Sequence, residues 1–249
     1  MKRFIPFVLL LWATNLAVTT NLNAIFLNTD KYKNAIVTES EYRVKFGEVD
    51  KEYPSLEKAY YDAKGNKTQS EGGLLGLTKY FYNEQNKEVR SESYDGKGNL
   101  TSLYKSYYDS KGYLVKWEVY EPNGDLRTYL IMTNDLKGNE LIEDWYNDGE
   151  LTERCKYSYD ENNNWITEKS FNSKLEPTGS KKNFYDKKGR LIRREFYWNG
   201  GEVHWMWKFY NDENGNVVKI EKYDHKTNND VLTSVILYTV EPYYENEIK

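Results

Sequence analysis

Tyr185-Asp186-Lys187-Lys188-Gly189-Arg190-Leu191 passes from an aromatic residue, through a polar turn holding a glycine, to an apolar residue that opens the next extended run. Asp at the head of a turn can bond its side chain to backbone amides two residues on. Gly supplies the positive φ that closes a tight connection at little steric cost. The run that follows, Leu191-Ile192-Arg193-Arg194-Glu195-Phe196-Tyr197, alternates with a period nearer two than that of a helix. Together these features predict a β-hairpin with a short loop.

Variants of this device recur along most of the chain. The aromatic that opens each turn falls at Tyr82, Tyr94, Tyr108, Tyr120, Tyr146, Tyr159, Phe171, Tyr185, Tyr197, Tyr210 and Tyr223, at gaps of 12 to 14 residues except one of 26. That gap holds a copy with Thr133 in the aromatic place, before Asn134-Asp135-Leu136-Lys137-Gly138-Asn139. Asp109, Asp135, Asp160, Asp186 and Asp212 sit 26, 25, 26 and 26 apart, so the unit is two half-repeats of one strand and one turn each. Fixed-period similarity of this length marks a repeat array. Tyr, Thr, Val, Ile and Trp with such frequent turn punctuation exclude helical repeats. The fold class expected is all-β: an antiparallel meander of about a dozen strands, forming one curled or rolled sheet from near residue 56 to 240.

In residues 1–24, Lys2 and Arg3 precede the apolar run Phe4 to Trp12, and the segment closes on Leu22-Asn23-Ala24. This is the pattern of a signal peptide cut after Ala24, too short in its apolar part to span a bilayer. The mature chain is therefore expected to carry no membrane span and to be secreted or held in the cell envelope. The whole chain has 35 basic and 39 acidic residues; losing Lys2 and Arg3 and no acid moves the net charge from −4 to −6. Mild acidity with interspersed signs argues against nucleic acid as a partner. The lone Cys155 excludes an intrachain disulfide.

Residues 25–55 are less regular and read as a capping segment containing one strand from Ala35, with residues 56–249 forming the repeat domain. The stretch Tyr61 to Tyr82 contains Gly72, Gly73 and Gly76, which predicts a distortion of the array there. Counting back from Tyr120, Tyr197, Tyr210 and Tyr223, alternate positions hold mostly apolar residues such as Phe209, Trp207 and Trp205. One face is thus mainly apolar, and the other carries the turn tyrosines with charge between them. The apolar run Val231 to Val240 is expected to close or plug the end of the array, because an exposed edge of that kind would aggregate.

Tyr61-Asp62-Ala63-Lys64-Gly65-Asn66, Tyr94-Asp95-Gly96-Lys97-Gly98-Asn99-Leu100 and Tyr185 to Leu191 resemble the YD repeat of Rhs-type bacterial proteins. The likeness covers roughly residues 56–225 and implies β-hairpin repeats, often on a secreted or surface protein, with carbohydrate binding proposed for some members of that family. The chain departs from that family in its longer period and in lacking room for an enclosed toxin domain.

Catalytic chemistry is poorly supplied. His204 and His225 fall in different units, with no nucleophile placed beside either. The turns at Asp160 and Asp212 begin like calcium loops but place Trp165 and Val217 where Gly is required and Phe171 and Tyr223 where Glu is required, so neither a metal nor a cofactor is expected. The leading expectation is a non-catalytic binding module for a glycan or a surface protein. The alternative is a polysaccharide hydrolase working through turn carboxylates. With 24 Tyr and 7 Trp, the candidate binding residues are the row Tyr108, Tyr120, Tyr146, Tyr159, Tyr185, Tyr197, Tyr210 and Tyr223, together with Trp198 and Trp205.

Overall fold

The computed structural model describes residues 34–45, 48–52, 55–72, 76–199, 201–226 and 229–242; the expected signal peptide lies outside them. The first strands are β1 (Ala35–Lys45), β2 (Glu48–Val49), β3 (Ser55–Tyr61), β4 (Lys67–Gly72), β5 (Leu77–Tyr82), β6 (Glu88–Tyr94), β7 (Leu100–Tyr108) and β8 (Leu114–Tyr120). They are followed by β9 (Leu126–Asn134), β10 (Glu140–Asn147), β11 (Glu150–Tyr159), β12 (Trp165–Asn172) and β13 (Pro177–Tyr185). The last are β14 (Leu191–Trp198), β15 (Val203–Asn211), β16 (Val217–Lys226) and β17 (Asn229–Pro242).

Each strand from β3 onward pairs antiparallel with the next, and β1 pairs with both β3 and β17. The sheet therefore has no free edge among its long strands. Of the 17 strands, β2 pairs only with β1, which leaves a closed barrel of sixteen staves. The all-β antiparallel meander stands, and the curled or rolled sheet of about a dozen strands is corrected to a fully closed ring with more strands. The stretched unit hides two strands, β4 and β5, and the segment ahead of the repeats supplies the stave that closes the ring. β17, the apolar run, pairs with β1 from Ala35↔Pro242 to Arg43↔Ser234, so closure satisfies the edge that would otherwise stay open.

The turns explain the spacing. In the turn at Asp186, the Asp186 Oδ1 accepts from the amides of Lys188 (2.9 Å) and Arg190 (3.0 Å), and the Gly189 amide donates to the Asp186 carbonyl at 3.0 Å. Gly189 has φ +76°, and the ladder slips one residue between Phe184 and Tyr185. The same arrangement returns at Asp62, Asp95, Asp109, Asp135, Asp160 and Asp212. It is a turn closed by a left-handed residue with a bulge beside it.

Neighbouring turns at the end holding Asp109, Asp135, Asp160, Asp186 and Asp212 also lock together. A Cβ on Gly138 (φ +87°) would stand 2.2 Å from the Tyr113 ring of the turn before it, and the Asn139 and Asn163 side chains exchange hydrogen bonds at 2.6 and 2.8 Å. Glycine at position 138 is thus required twice, by its backbone and by its neighbour.

Nearly all buried strand residues point to one side of the wall, and their facing pairs run round the ring: Ala59↔Ser70, Ser70↔Thr78, Thr78↔Ser93, Ser93↔Ser102, Tyr104↔Val119, Leu130↔Trp145, Cys155↔Ser170 and Arg194↔Asn183. This is the lumen side. Small residues gather there on β4–β7, at Ser70, Thr78, Ser91, Ser93 and Ser102, between the rings of Tyr80 and Tyr104, and larger ones predominate on β9–β16. The main apolar cluster, Leu191, Phe209, Ile220 and Ile236, lies where β14–β17 meet. Leu130, Val119, Glu168, Arg194 and Ile220 are each at most 3% exposed, so the lumen is filled at mid-height.

Candidate functional site

The tyrosines expected in one row divide between two sides of the wall. Tyr108, Tyr159 and Tyr185 end strands that run to the rim of Asp-headed turns, and they point into the lumen. Their hydroxyls donate to the carbonyls of Glu88 (2.7 Å), Glu140 (2.9 Å) and Trp165 (2.8 Å) on the preceding strand. Each reaches back to the neighbouring strand and ties the two staves together at the mouth of the barrel. Burial raises the pKa of all three phenols, that of Tyr108 to about 12.

Tyr120, Tyr197, Tyr210 and Tyr223 stand on the outer wall, as does Tyr146, which stacks on Tyr129 at 4.6 Å. There, a basic residue, a Glu and a Tyr at alternate positions form a repeated group. Glu118 accepts from Lys116 (2.6 Å), Tyr107 (2.5 Å) and Tyr120 (2.6 Å), and Lys105 lies 4.5 Å over the Tyr120 ring. Glu221 with Lys219, Tyr210, Tyr223 and the overlying Lys208 repeats it, as does Glu195 with Arg193, Tyr197 and Lys182. Burial opposes ionisation of Glu118, but its three hydrogen bonds outweigh that and hold its pKa at about 2. The outer rings are thus engaged by ammonium and carboxylate groups rather than left as a bare platform. Trp198 is 48% exposed at the opposite end of the barrel, in a ring cluster with His204 (5.6 Å) and Trp205 (5.9 Å).

Inside the mouth lies a cavity of about 710 Å³, lined on β7–β16 by Tyr108, Tyr157, Tyr159, Trp165 and Tyr185, by Asn134, Asn139, Asn163, Asn164 and Asn211, and by Glu140 and Glu143. Glu143 is 4% exposed; its Oε2 accepts from the Tyr157 hydroxyl at 2.5 Å and from the Trp145 indole at 3.4 Å. Burial raises its pKa. Beside the cavity, Glu168 is held by Lys181 at 2.7 Å. The Arg194 guanidinium, 1% exposed, donates from Nε to Asn183 Oδ1 at 2.7 Å and lies 4.6 Å over the Trp165 ring. Burial brings the Arg194 pKa down to about 10, against the pull of Glu168. Cys155 packs against Ser170 at 3.6 Å, and burial pushes its thiol up, away from the reactive thiolate.

Tyr108, Tyr159 and Tyr185 are the sequence candidates that the cavity brings together. Glu140, Glu143, Tyr157 and Trp165 join them without having been singled out. One signal for the division was available. Doublets such as Tyr107-Tyr108 and Phe184-Tyr185 precede turns of this rim, supplying one ring to each face, whereas Tyr94, Tyr120 and Tyr223 stand singly before turns of the other.

No family model and no curated protein matches this sequence. A porin-like protein from Bacteroides uniformis matches in fold with a TM-score of 0.57 at 10% identity, over 84% of this chain and 98% of that one. A DUF1329 family protein from Desulfovibrio piger follows at TM-score 0.32 and 11% identity, over 94% and 92% of the two chains. The TcdB2-TccC3-Cdc42 structure follows at TM-score 0.31 and 14% identity, over 82% of this chain and 13% of that one. At such identities likeness speaks to fold alone, and only the first score is high enough to do so: the chain shares an all-antiparallel barrel architecture with the porin-like protein.

Proposed function

We propose that this chain is a non-catalytic binding protein of the bacterial envelope or its surroundings, holding a glycan in the mouth of a water-bathed barrel. The observation that carries the reading is the cavity of about 710 Å³, which sets aromatic rings beside side-chain amides and carboxyls. Rings stack on the apolar faces of sugars, while amides and carboxyls meet their hydroxyls. The leader-like N-terminus, the YD-like turns and the bacterial porin-like neighbour all support an envelope location.

The geometry favours a vessel over a pore. A lipid-facing barrel needs an apolar outer band, and a charge at the bilayer midplane costs about 2–4 kcal/mol. Here mid-strand outer positions hold Lys105, Lys116, Glu118, Lys182, Glu195, Lys208, Lys219 and Glu221. The buried side chains at mid-height leave no support for a through-channel. The hydrolase alternative finds little support in the turns, because Asp95, Asp160 and Asp186 spend their carboxylates on their own turns. Hydrogen bonds from Asn99, Asn164 and Arg190 lower their pKa values.

The test is a glycan array read alongside a hydrolysis assay on the same sugars. Retention of a glycan without product is expected. Turnover of any retained sugar, or no retention at all, would remove the reading.

A further inference from the structure

The cavity opens at the rim, and the strands that line it close it from below and from the side. One inward step beneath Met132, Tyr157, Trp165, Leu191, Asn211 and Val217, toward the opposite rim, come Leu130, Cys155, Glu168, Arg194, Phe209 and Ile220, each at most 5% exposed. That layer is a floor. It is bonded as well as packed: Lys181 holds Glu168 at 2.7 Å, and Arg194 donates from Nε to Asn183 Oδ1 at 2.7 Å.

The wall is sewn at the level of the rings. Tyr108, Asn134, Tyr159, Tyr185 and Asn211 hold the same place in successive units, and each donates to the carbonyl that starts the preceding strand. The two asparagines do so from Nδ2, to Leu114 at 2.8 Å and to Leu191 at 3.1 Å. Above them the turns are tied to one another. Besides the Tyr113–Gly138 and Asn139–Asn163 contacts, a Cβ on Gly112, Gly189 or Gly215 would meet the side chain of Lys87, Asn164 or Arg190 from the turn before it, at 3.5, 4.0 and 3.5 Å. Arg190 Nη1 also reaches the Asp212 carbonyl at 3.4 Å. From Lys87 to Gly215 the lip is one tied band. A sugar chain that lies through a site needs an entry and an exit, because each interior ring is linked on both sides. A blind pocket offers the entry alone.

We propose, resting on the glycan-binding reading, that the cavity takes the free end of a linear sugar chain and excludes its interior. The terminal ring, which has a single linkage, goes down among Tyr157, Tyr159, Trp165 and Tyr185, and the units behind it leave past Asn139, Asn163 and Asn164 at the lip. The hydroxyls of the three tyrosines are bound to Glu143, Glu140 and Trp165, so it is their ring faces that serve the sugar.

The test is an array on which every linear oligosaccharide is printed in three ways: attached through its reducing end, through its non-reducing end, and through both ends at once. The full chain is expected to be retained on copies with a free end and to lose about ten-fold or more of that retention on the doubly attached copies, because a segment that cannot enter a pocket forgoes the burial the pocket provides. Met132→Trp, which narrows the cavity from β9, should abolish retention, with thermal unfolding measured in parallel. If that variant does not fold, the comparison of attachments still decides. Equal retention on singly and doubly attached copies overturns the chain-end proposal and leaves the glycan reading standing. Unchanged retention by a folded Met132→Trp chain overturns the placing of the sugar in the cavity. No retention on any copy removes the chain-end proposal and the glycan reading together.

Discussion

On the outer wall a basic residue, Arg or Lys, then Glu and Tyr return at alternate positions around Glu92, Glu118, Glu195 and Glu221, whereas the inward residues between them are Ser91 and Ser93, Trp117 and Val119, Arg194 and Phe196, and Ile220 and Lys222. The two sides of one wall thus obey different constraints. Outside, each hairpin must be tied to its neighbour in water, and a carboxylate bridging phenols and an ammonium does this wherever it recurs. Inside, each stave meets different partners, so repetition would leave voids at some heights and collisions at others. Where the repeat persists it staples the barrel; where it lapses, the chemistry of the cavity becomes possible.

The largest effect expected from this contrast comes from removing a ring on each side. Trp145 is 8% exposed, faces Leu130 and packs edge-on against Trp117 at 6.2 Å, so Trp145→Ala should cost about 3–5 kcal/mol in urea unfolding. Phe81 is 40% exposed on the outer wall, and Phe81→Ala should cost less than about 1 kcal/mol. Equal losses would mean that the lumen is not the core.

The two rims give the next contrast. Gly138 (φ +87°) lies against Tyr113, and Gly124 (φ +91°) at the other rim has nothing within 4 Å of where a Cβ would stand. Gly124→Ala should cost about 1 kcal/mol through backbone strain alone, and Gly138→Ala about 2–3 kcal/mol, because the ring must also move. Thermal unfolding of the pair measures how far the interlocking of turns contributes.

These cases show what could be read from the sequence. The turn at Asp186 follows from Asp and Gly acting locally, so its copies were legible, as was the apolar face counted back from Tyr120 or Tyr223. Ring closure was not, because β1 has no repeat signature and one of its two partners lies at the far end of the chain: Val37 faces Ala59, but Tyr42 faces Val235, 193 residues downstream. Nor was the division of the tyrosines. The doublet Tyr107-Tyr108 and the single Tyr120 differ in sequence, but which face each ring takes follows only from the alternation along strands whose pairing is known. Glu143 was hidden for a related reason. An acid two places before Trp145 on a buried face reads as surface charge unless the face is known.

Titration should separate the two walls as well. Glu118 on the outer wall has its pKa lowered to about 2, so its contribution is present above the ordinary carboxylate value and is lost as pH falls toward 2. Glu39 on the inner wall is raised, first by burial and then by Glu57 opposite it on β3; its contribution is present at low pH and is lost as pH rises through the raised value. Glu118→Gln should therefore flatten the acid limb of a stability–pH curve, costing about 1–2 kcal/mol at neutral pH through lost charged hydrogen bonds. Glu39→Gln should flatten the opposite limb. Both variants acting on the same limb would show that the walls do not differ in this way.

The smallest effects should come from single hydroxyls, and they bear directly on the binding site. Tyr185 and Tyr210 look interchangeable in the repeat, yet one lines the cavity and the other reaches Glu221 on the outer wall at 2.5 Å. Tyr185→Phe removes a donor from the Trp165 carbonyl, but that carbonyl keeps the Asn183 amide at 2.8 Å and is not orphaned, so the cost should stay near 1 kcal/mol. Glu221 likewise keeps Lys219 at 2.9 Å and Tyr223 at 2.7 Å, and in solvent Tyr210→Phe should cost no more than about 0.5 kcal/mol. The full truncations then separate binding from stability. Tyr185→Ala should weaken a ligand found by array screening by about 1–3 kcal/mol, as loss of a stacked ring does, while Tyr210→Ala should leave that affinity unchanged. The comparison is made by calorimetry on variants matched for folding. A ligand that loses affinity with Tyr210→Ala but not with Tyr185→Ala would move recognition from the mouth of the barrel to its outer wall.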